Sequence, residues 1–299
     1  MANLVMVTAD LAHVAATTTK AMLESLGHTV TAYTSAAVTL ANMRAGDAIV
    51  AVRSNNVAAE SDKVVAVLQE GKPVICGGVN GLQPGNTSAN SVAARAGLFT
   101  QHTSRGTSET TTYTPTSHPV WQAAGILAFP STQTVYASGG LGYQGYATTT
   151  DVASGAGIEI LALKAASSTD VSVIVAPKGA VMKNASTLAA NLIFCSFLYG
   201  ADGYTDVGKA MIRELLTRAL AEPMVIDGTV TDDLGNPLVR KVRCYKRADG
   251  RFIAETMSNS AGAFSFTVFE NALHMVIAID EDSGVKNAVI RDRILPVIA

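Results

Sequence analysis

The chain has 299 residues, 48% hydrophobic and 15% charged, with a net charge of −2. That length fits one large or two ordinary domains with an ample core, and the near-neutral charge gives no support to bulk electrostatic attraction to DNA or an anionic membrane. Three widely spaced cysteines, Cys76, Cys195 and Cys244, form neither a disulfide framework nor a zinc-ligand pattern, and read as small core hydrophobes.

From the N-terminus, residues 4–8 form a short apolar strand. No basic n-region or long apolar h-region precedes it, so no secretory signal is expected. A helix is predicted over 14–26, where Met22, Leu23 and Leu26 share a side and Gly27 ends it. Strands follow at 28–32 and 47–52, the latter continuously apolar like a buried parallel strand. A helix over 57–70 stops at Gly71, and a strand at 73–76 runs into Gly77 and Gly78. Four βα units in such a short span predict an α/β fold with a doubly wound, mostly parallel, flavodoxin-like sheet.

The pattern then loosens. Residues 81–88 read as loop, 88–97 as a small-residue helix, and 100–118 as a Thr/Ser-dense stretch of little period. Loops this long, 81–118 and 138–157, are usually functional or disordered. Strands are predicted at 134–137, 158–163 and 171–175, and a helix at 184–199. That apolar run, from residue 188, is too short to span a bilayer and holds Asn191 and Ser196, so a soluble protein made in a cytoplasm is expected. A helix over 206–221 carries the stripe Val207, Met211, Ile212, Leu215, Leu216 and Ala219, capped by Thr205 or Asp206. Glu222 and Pro223 end it and place a boundary between domains 1–222 and 223–299.

The rest, from Val225, alternates short Val/Ile/Phe/Thr runs with Gly, Asn, Asp and Pro, which predicts a small all-β sandwich. Phe264 and Phe266 share a face, and Asp249-Gly250 suits a hairpin turn. Arg240, Lys241, Arg243, Lys246, Arg247 and Arg251 form a basic stretch opposed by Asp249 alone. It reads as a solvated strand face that discourages edge pairing, or as a contact for an acidic partner or nucleic acid.

Two resemblances add to this reading. The punctuation of 225–296 resembles the carboxypeptidase-regulatory-like sandwich appended to tailed-phage virion proteins. The first 222 residues resemble the class I glutamine-amidotransferase-like superfamily, including its ThuA-like branch. The matching residues are Leu-Gly-His-Thr-Val at 26–30, Lys-Pro-Val-Ile-Cys-Gly-Gly at 72–78, Ser-His-Pro-Val-Trp at 117–121 and the segments 188–199 and 204–220. That superfamily's enzymes set a nucleophilic Cys on the turn after such a strand. Here the turn position is Gly78, Cys76 lies two residues earlier, and His118 precedes Pro119 rather than an acid. The resemblance therefore implies the fold without its catalysis.

The remaining motifs are weak. Gly140, Gly142 and Gly145 satisfy a dinucleotide-binding spacing, but no helix start follows. Asp202, Asp206 and 280–282 fit no complete calcium loop, the Asn86 and Asn184 sequons mean nothing without a signal, and His13 and His28 pair with no second ligand. No catalytic residue, cofactor or metal is expected. The function expected is a non-enzymatic, tail-associated structural component of a tailed-phage virion. Its partners would be itself and other virion proteins, with host-surface contact open and no membrane or nucleic acid. The contacts expected are the two long loops and the outer face of 239–251. The alternatives are an amidase or hydrolase with a shifted Cys76/His118 site, and a carbohydrate-binding adsorption protein stacking sugar on Trp121, Tyr136, Tyr143 and Tyr146.

Overall fold

The structure, a computed structural model, describes residues 1–53, 57–77, 87–104, 111–114, 118–137, 145–165, 167–198, 203–222, 224–250, 252–268, 272–279 and 289–298. The chain forms two compact units, Met1–Leu220 and Ala221–Ala299.

The first unit opens with βα alternation: β1 (Asn3–Thr8), α1 (Val14–Ser25), β2 (Thr29–Thr34), α2 (Leu40–Arg44), β3 (Ala48–Arg53), α3 (Ala58–Gln69) and β4 (Val74–Cys76). His13 caps α1, its Nδ1 accepting the Ala15 N–H at 3.1 Å. The short α2, missed in the sequence, starts at a reciprocal capping box between Thr39 and Asn42. Then come β5 (Thr87–Ser88), α4 (Val92–Arg95), β6 (His102–Ser104), β7 (Thr111–Thr114), α5 (Pro119–Ala123), β8 (Ser131–Thr134), β9 (Gly145–Thr148), β10 (Glu159–Lys164), β11 (Asp170–Ala176), β12 (Leu192–Cys195) and α6 (Asp206–Leu220).

The main path of the sheet runs β2-β1-β3-β4-β12-β11-β10-β7-β8. Pairing is parallel from β2 to β12 and antiparallel from β12 to β8. β9 joins β11 and β6, and β6 joins β5. This corrects the doubly wound, flavodoxin-like expectation. Strand outweighs helix, 38% to 23%, so the fold is a mixed, sheet-rich α/β one, with six helices and three sheets among the described residues.

The physical reason lies in two segments. The helix expected over 184–199 is absent, and β12 sits there between β4 and β11. Its residues alternate between the two core clusters, Ile193 and Cys195 in one, Leu192 and Phe194 in the other. An apolar run buried on both faces looks the same as a buried helix by periodicity alone. The Thr/Ser-dense stretches also leave the loop class where described. They supply β5, β6, β7 and β9, whose ladders bury Thr112, Thr114 and Tyr146.

Helices cover both faces. Trp121, Met211 and Leu215 of α5 and α6 pack with Met22 and Leu23 of α1 over Leu4, Val50 and Ile75. Met43, Val64, Leu68 and Val92 pack over Val5, Ile49 and Cys76 on the other side. Thr205 Oγ1 caps α6, accepting the Gly208 N–H at 3.0 Å. Gly208 lies against the chain just past β8: a Cβ there would stand 2.3 Å from the Val135 carbonyl oxygen. Gly→Ala within an exposed helix gains about 1 kcal/mol. Here Gly208→Ala is expected to lose about 1–3 kcal/mol instead, read as a lower denaturant midpoint. A gain would show that the approach is loose.

The second unit is wholly antiparallel. It contains β13 (Met224–Thr229), β14 (Lys241–Lys246), β15 (Phe252–Met257), β16 (Ala263–Val268), β17 (His274–Ile279), β18 (Val289–Ile294) and β19 (Val297–Ile298). One sheet runs β16-β13-β19, the other β15-β14-β17-β18. Met224, Ile226, Val242, Cys244, Phe266, Val268 and Val276 form their shared core. Phe264 and Phe266 lie with ring centroids 5.6 Å apart. Gly250 takes φ +68°, which closes the turn after β14.

Candidate functional site

Among the described residues of the first unit, the cluster richest in acid–base groups centres on Glu159, the first residue of β10. Its Oε2 lies 2.7 Å from His118 Nε2, and its Oε1 accepts from Arg218 Nη2 at 3.1 Å. His118 is the N-cap of α5, and its Nδ1 accepts the Val120 N–H at 3.2 Å. That bond leaves the ring proton on Nε2, directed at the carboxylate. Both ring nitrogens are therefore engaged, and the imidazole has no lone pair to take a proton from a substrate.

Arg218 sits in the last turn of α6, its side chain 14% exposed. Burial pulls its guanidinium down from the ordinary range, and Glu159 opposes that. Burial pushes the Glu159 carboxyl up, but the His118 hydrogen bond and the Arg218 charge outweigh it and hold the carboxyl below its ordinary value. The network continues through Asn191, whose Nδ2 donates to the Arg218 and Ala219 carbonyls at 3.1 Å each and whose Oδ1 accepts the Lys178 N–H at 2.9 Å. Asn191 thus satisfies end carbonyls that a helix leaves open. The arrangement ties the start of α5, the start of β10 and the end of α6 together.

Cys76, at the end of β4, is fully buried, and burial pushes its thiol up to about 12. It packs in the cluster with Val92 and Ala93, whereas Val120 and Trp121, next to His118, pack in the cluster on the opposite face of the sheet. The structure does not bring Cys76 and His118 together. A thiol so placed is not a ready nucleophile. Burial also pushes Cys195 well above the ordinary thiol value and Cys244 up to about 12. Gly78 lies outside the described residues.

The other sequence candidates disperse. Trp121 is fully buried and donates from Nε1 to the Leu161 carbonyl at 2.8 Å; Tyr136 is buried with its hydroxyl on the Phe197 carbonyl at 2.7 Å; Tyr146 is buried too. None of the three offers a sugar platform, and Tyr143 lies outside the described residues. Gly145 opens a strand, not a helix, and residues 140–144 lie outside the described residues. Asp206 is fully exposed and pairs with Lys209 at 3.4 Å. Asp202, 280–282 and Asn86 lie outside the described residues, as does Arg251. Among the described residues no group of three or more His, Cys, Asp or Glu is placed to hold a metal, and no helix is long and apolar enough to cross a membrane.

The sequence reading missed Glu159, Arg218 and Asn191. For Glu159 and Asn191 the signal was a polar group set in an apolar segment, whereas Arg218 shares its helix with Arg213, Glu214 and Thr217 and does not stand out. Pairing them required knowing that β10 starts beside the end of α6.

The basic stretch becomes β14. Val242 and Cys244 point into the core, so Lys241, Arg243 and Tyr245 point outward. Arg243 Nε donates to Glu255 Oε2 at 2.6 Å across the β14–β15 pair. Directly opposite on β17 stand Ile279, Ile277 and Met275. Tyr245 meets Phe252 edge-on at 5.7 Å. This outer face is therefore an apolar surface crossed by two cations. No protein-family model matches the chain, and no curated protein matches it.

Proposed function

We propose that the chain is a non-enzymatic structural component of a tailed-phage virion, associated with the tail. In this reading it assembles with copies of itself and with other virion proteins, and its C-terminal unit docks. The observation that carries the reading is the outer face of the four-stranded sheet. β17 reads His-Met-Val-Ile-Ala-Ile, with the apolar Met275, Ile277 and Ile279 outward and Val276 and Ala278 toward the core beside the buried His274. A sheet face exposed to water in an antiparallel protein is ordinarily polar. The small unit has its own core beneath that face, which suits a module that presents a surface. The resemblance of 225–296 to phage sandwich modules supports the same assignment. The hydrolase alternative is disfavoured by Cys76, buried on the opposite side of the sheet from His118.

The test is light scattering of the purified chain over a concentration series, with thiol labelling of the same sample. The expected result is an assembly heavier than the 30.9 kDa monomer, with Cys76 labelled only after denaturation. A strict monomer with fast-labelling Cys76 would overturn the reading in favour of a hydrolase. Normal phage particles assembled with the chain truncated after Leu220 would remove the docking role.

A further inference from the structure

The edge strand β2 of the first unit leaves backbone groups open. The Thr29 N–H donates to the Ala2 carbonyl at 3.0 Å and the Ser35 N–H to the Thr8 carbonyl at 2.7 Å. The odd-numbered residues of β2 therefore turn their peptide groups to β1, and Val30, Ala32 and Thr34 turn theirs to the open side. The Thr34 carbonyl is taken by the Ala37 and Val38 N–H groups at 3.1 and 2.9 Å. Among the described residues nothing bonds the N–H and C=O of Val30 and Ala32. Such an edge is a template for a further strand, and proteins blunt it with charge, proline, bulges or short length. β2 has none of these: its six residues, TVTAYT, are uncharged and its register with β1 is unbroken. The other edges are protected. β8 has four residues, and Thr205 Oγ1 donates to its Thr134 carbonyl at 2.6 Å. β5 and β19 have two residues each. β15 and β18 carry Glu255 and Arg291, and each has a register shift against its neighbour. Asn259 takes both the N–H and the C=O of Ala263 at the start of β16.

We infer that β2 pairs antiparallel with β2 of a second copy about a two-fold axis at Thr31, so that the sheet continues across the contact. Val30 of each chain then exchanges both backbone bonds with Ala32 of the other, the register that satisfies every open group of these two residues. The same register sets Thr31 against Thr31 and Thr29 against Tyr33, pairs of β-branched and aromatic side chains that favour cross-strand packing. Thr29 and Thr31 are exposed, so their face of the strand is open to a neighbour. A two-fold contact repeats each surface group against its own patch, and β2 has no charge to repel its copy. The inference gives a surface to the self-assembly proposed above and rests on that reading. A strand of another protein would meet the same backbone groups, and the experiment separates the two occupants.

The experiment compares the full wild-type chain with Thr31→Lys and Thr31→Cys, reading self-association by light scattering over a concentration series. Thr31→Lys sets like charges directly opposite each other at the axis and is expected to raise the dissociation constant at least about ten-fold. Its thermal melt should match the wild type, because Thr31 is exposed. Thr31→Cys is expected to give a disulfide-linked dimer on mild oxidation, because residues opposite each other at a non-hydrogen-bonded site stand about 4.5 Å apart and the native cysteines are buried. Thr229→Cys, exposed on the second unit, is the control for chance collision and should stay unlinked. An oligomer that Thr31→Lys leaves intact, with no linked Thr31→Cys dimer, would overturn the inference and leave self-assembly through another surface standing. A wild type that is monomeric at every concentration would overturn the pairing and leave the edge to a strand of another protein. Linking of Thr31→Cys no faster than Thr229→Cys would overturn it as well. A linked Thr31→Cys dimer of a chain absent from phage particles would support the pairing and remove the virion role.

Discussion

Replacing Trp121 by Ala is expected to destabilise the first unit by about 3–5 kcal/mol. The indole is fully buried and packs with Val135, Leu161, Met211 and Leu215. With Val120 it anchors α5 in the core, and at five residues that helix is too short to hold itself. The substitution removes a large apolar volume and strands the Leu161 carbonyl, which accepts from Nε1 at 2.8 Å. The chain has two units, so a single unfolding curve would mix them. Denaturant-dependent thiol labelling resolves them, because Cys76 lies in the first unit and Cys244 in the second. The Cys76 midpoint should fall steeply. A change below about 0.5 kcal/mol, the size typical of a surface substitution, would mean that Trp121 is a surface ring and would reopen a sugar-stacking role.

Glu159→Ala is expected to cost about 2–3 kcal/mol. Removing one partner of a buried ion pair costs about 3–5 kcal/mol. Solvent screening lowers that here, because the Glu159 side chain is 36% exposed. What remains is Arg218, its side chain 14% exposed and without its carboxylate. The pH dependence gives a second readout. The folded-state carboxyl is held below its ordinary value of 4.5. Its contribution to stability is therefore fully present above pH 4.5 and is lost as pH falls through the lower, folded-state value. Glu159→Gln keeps the shape and cannot titrate, so its Cys76 labelling midpoint should lose less than the wild type's over that acid window. Parallel acid limbs in the two proteins would show that Glu159 does not contribute as an ion.

How much of this was legible in the sequence follows from the range of each interaction. Residues 14–26, 57–70 and 206–221 carry their own helical period and stops, and the structure has helices at Val14–Ser25, Ala58–Gln69 and Asp206–Leu220. The period-two runs from Val225 onward likewise carry their own inward and outward sides. The stretch 100–114 was illegible as strand because Thr and Ser show no hydrophobic alternation. β6 and β7 exist because neighbouring strands supply their hydrogen bonds. The strand expected at 134–137 begins earlier, at Ser131, and Tyr136 instead bridges to Tyr204.

The candidate site was less legible. His118 was visible as a histidine before a proline, and its acid was sought next to it in sequence. The acid is Glu159, 41 residues on, and the cation Arg218 is 59 residues further. A side-chain pair across that separation leaves no periodic trace.

By itself the sequence determined the local order of this protein: which segments have a helical or strand period, where caps and glycine turns end them, and that the cysteines sit in apolar surroundings. Only the tertiary structure decided that β12 lies between β4 and β11, turning a parallel sheet into a mixed one. It alone put Cys76 and His118 on opposite faces, and aligned Lys241, Arg243, Ile277 and Ile279 on one surface. Period and capping act within a few residues, whereas strand order and pairing register are set by contacts between segments far apart in the chain, where burial on both faces selects the arrangement.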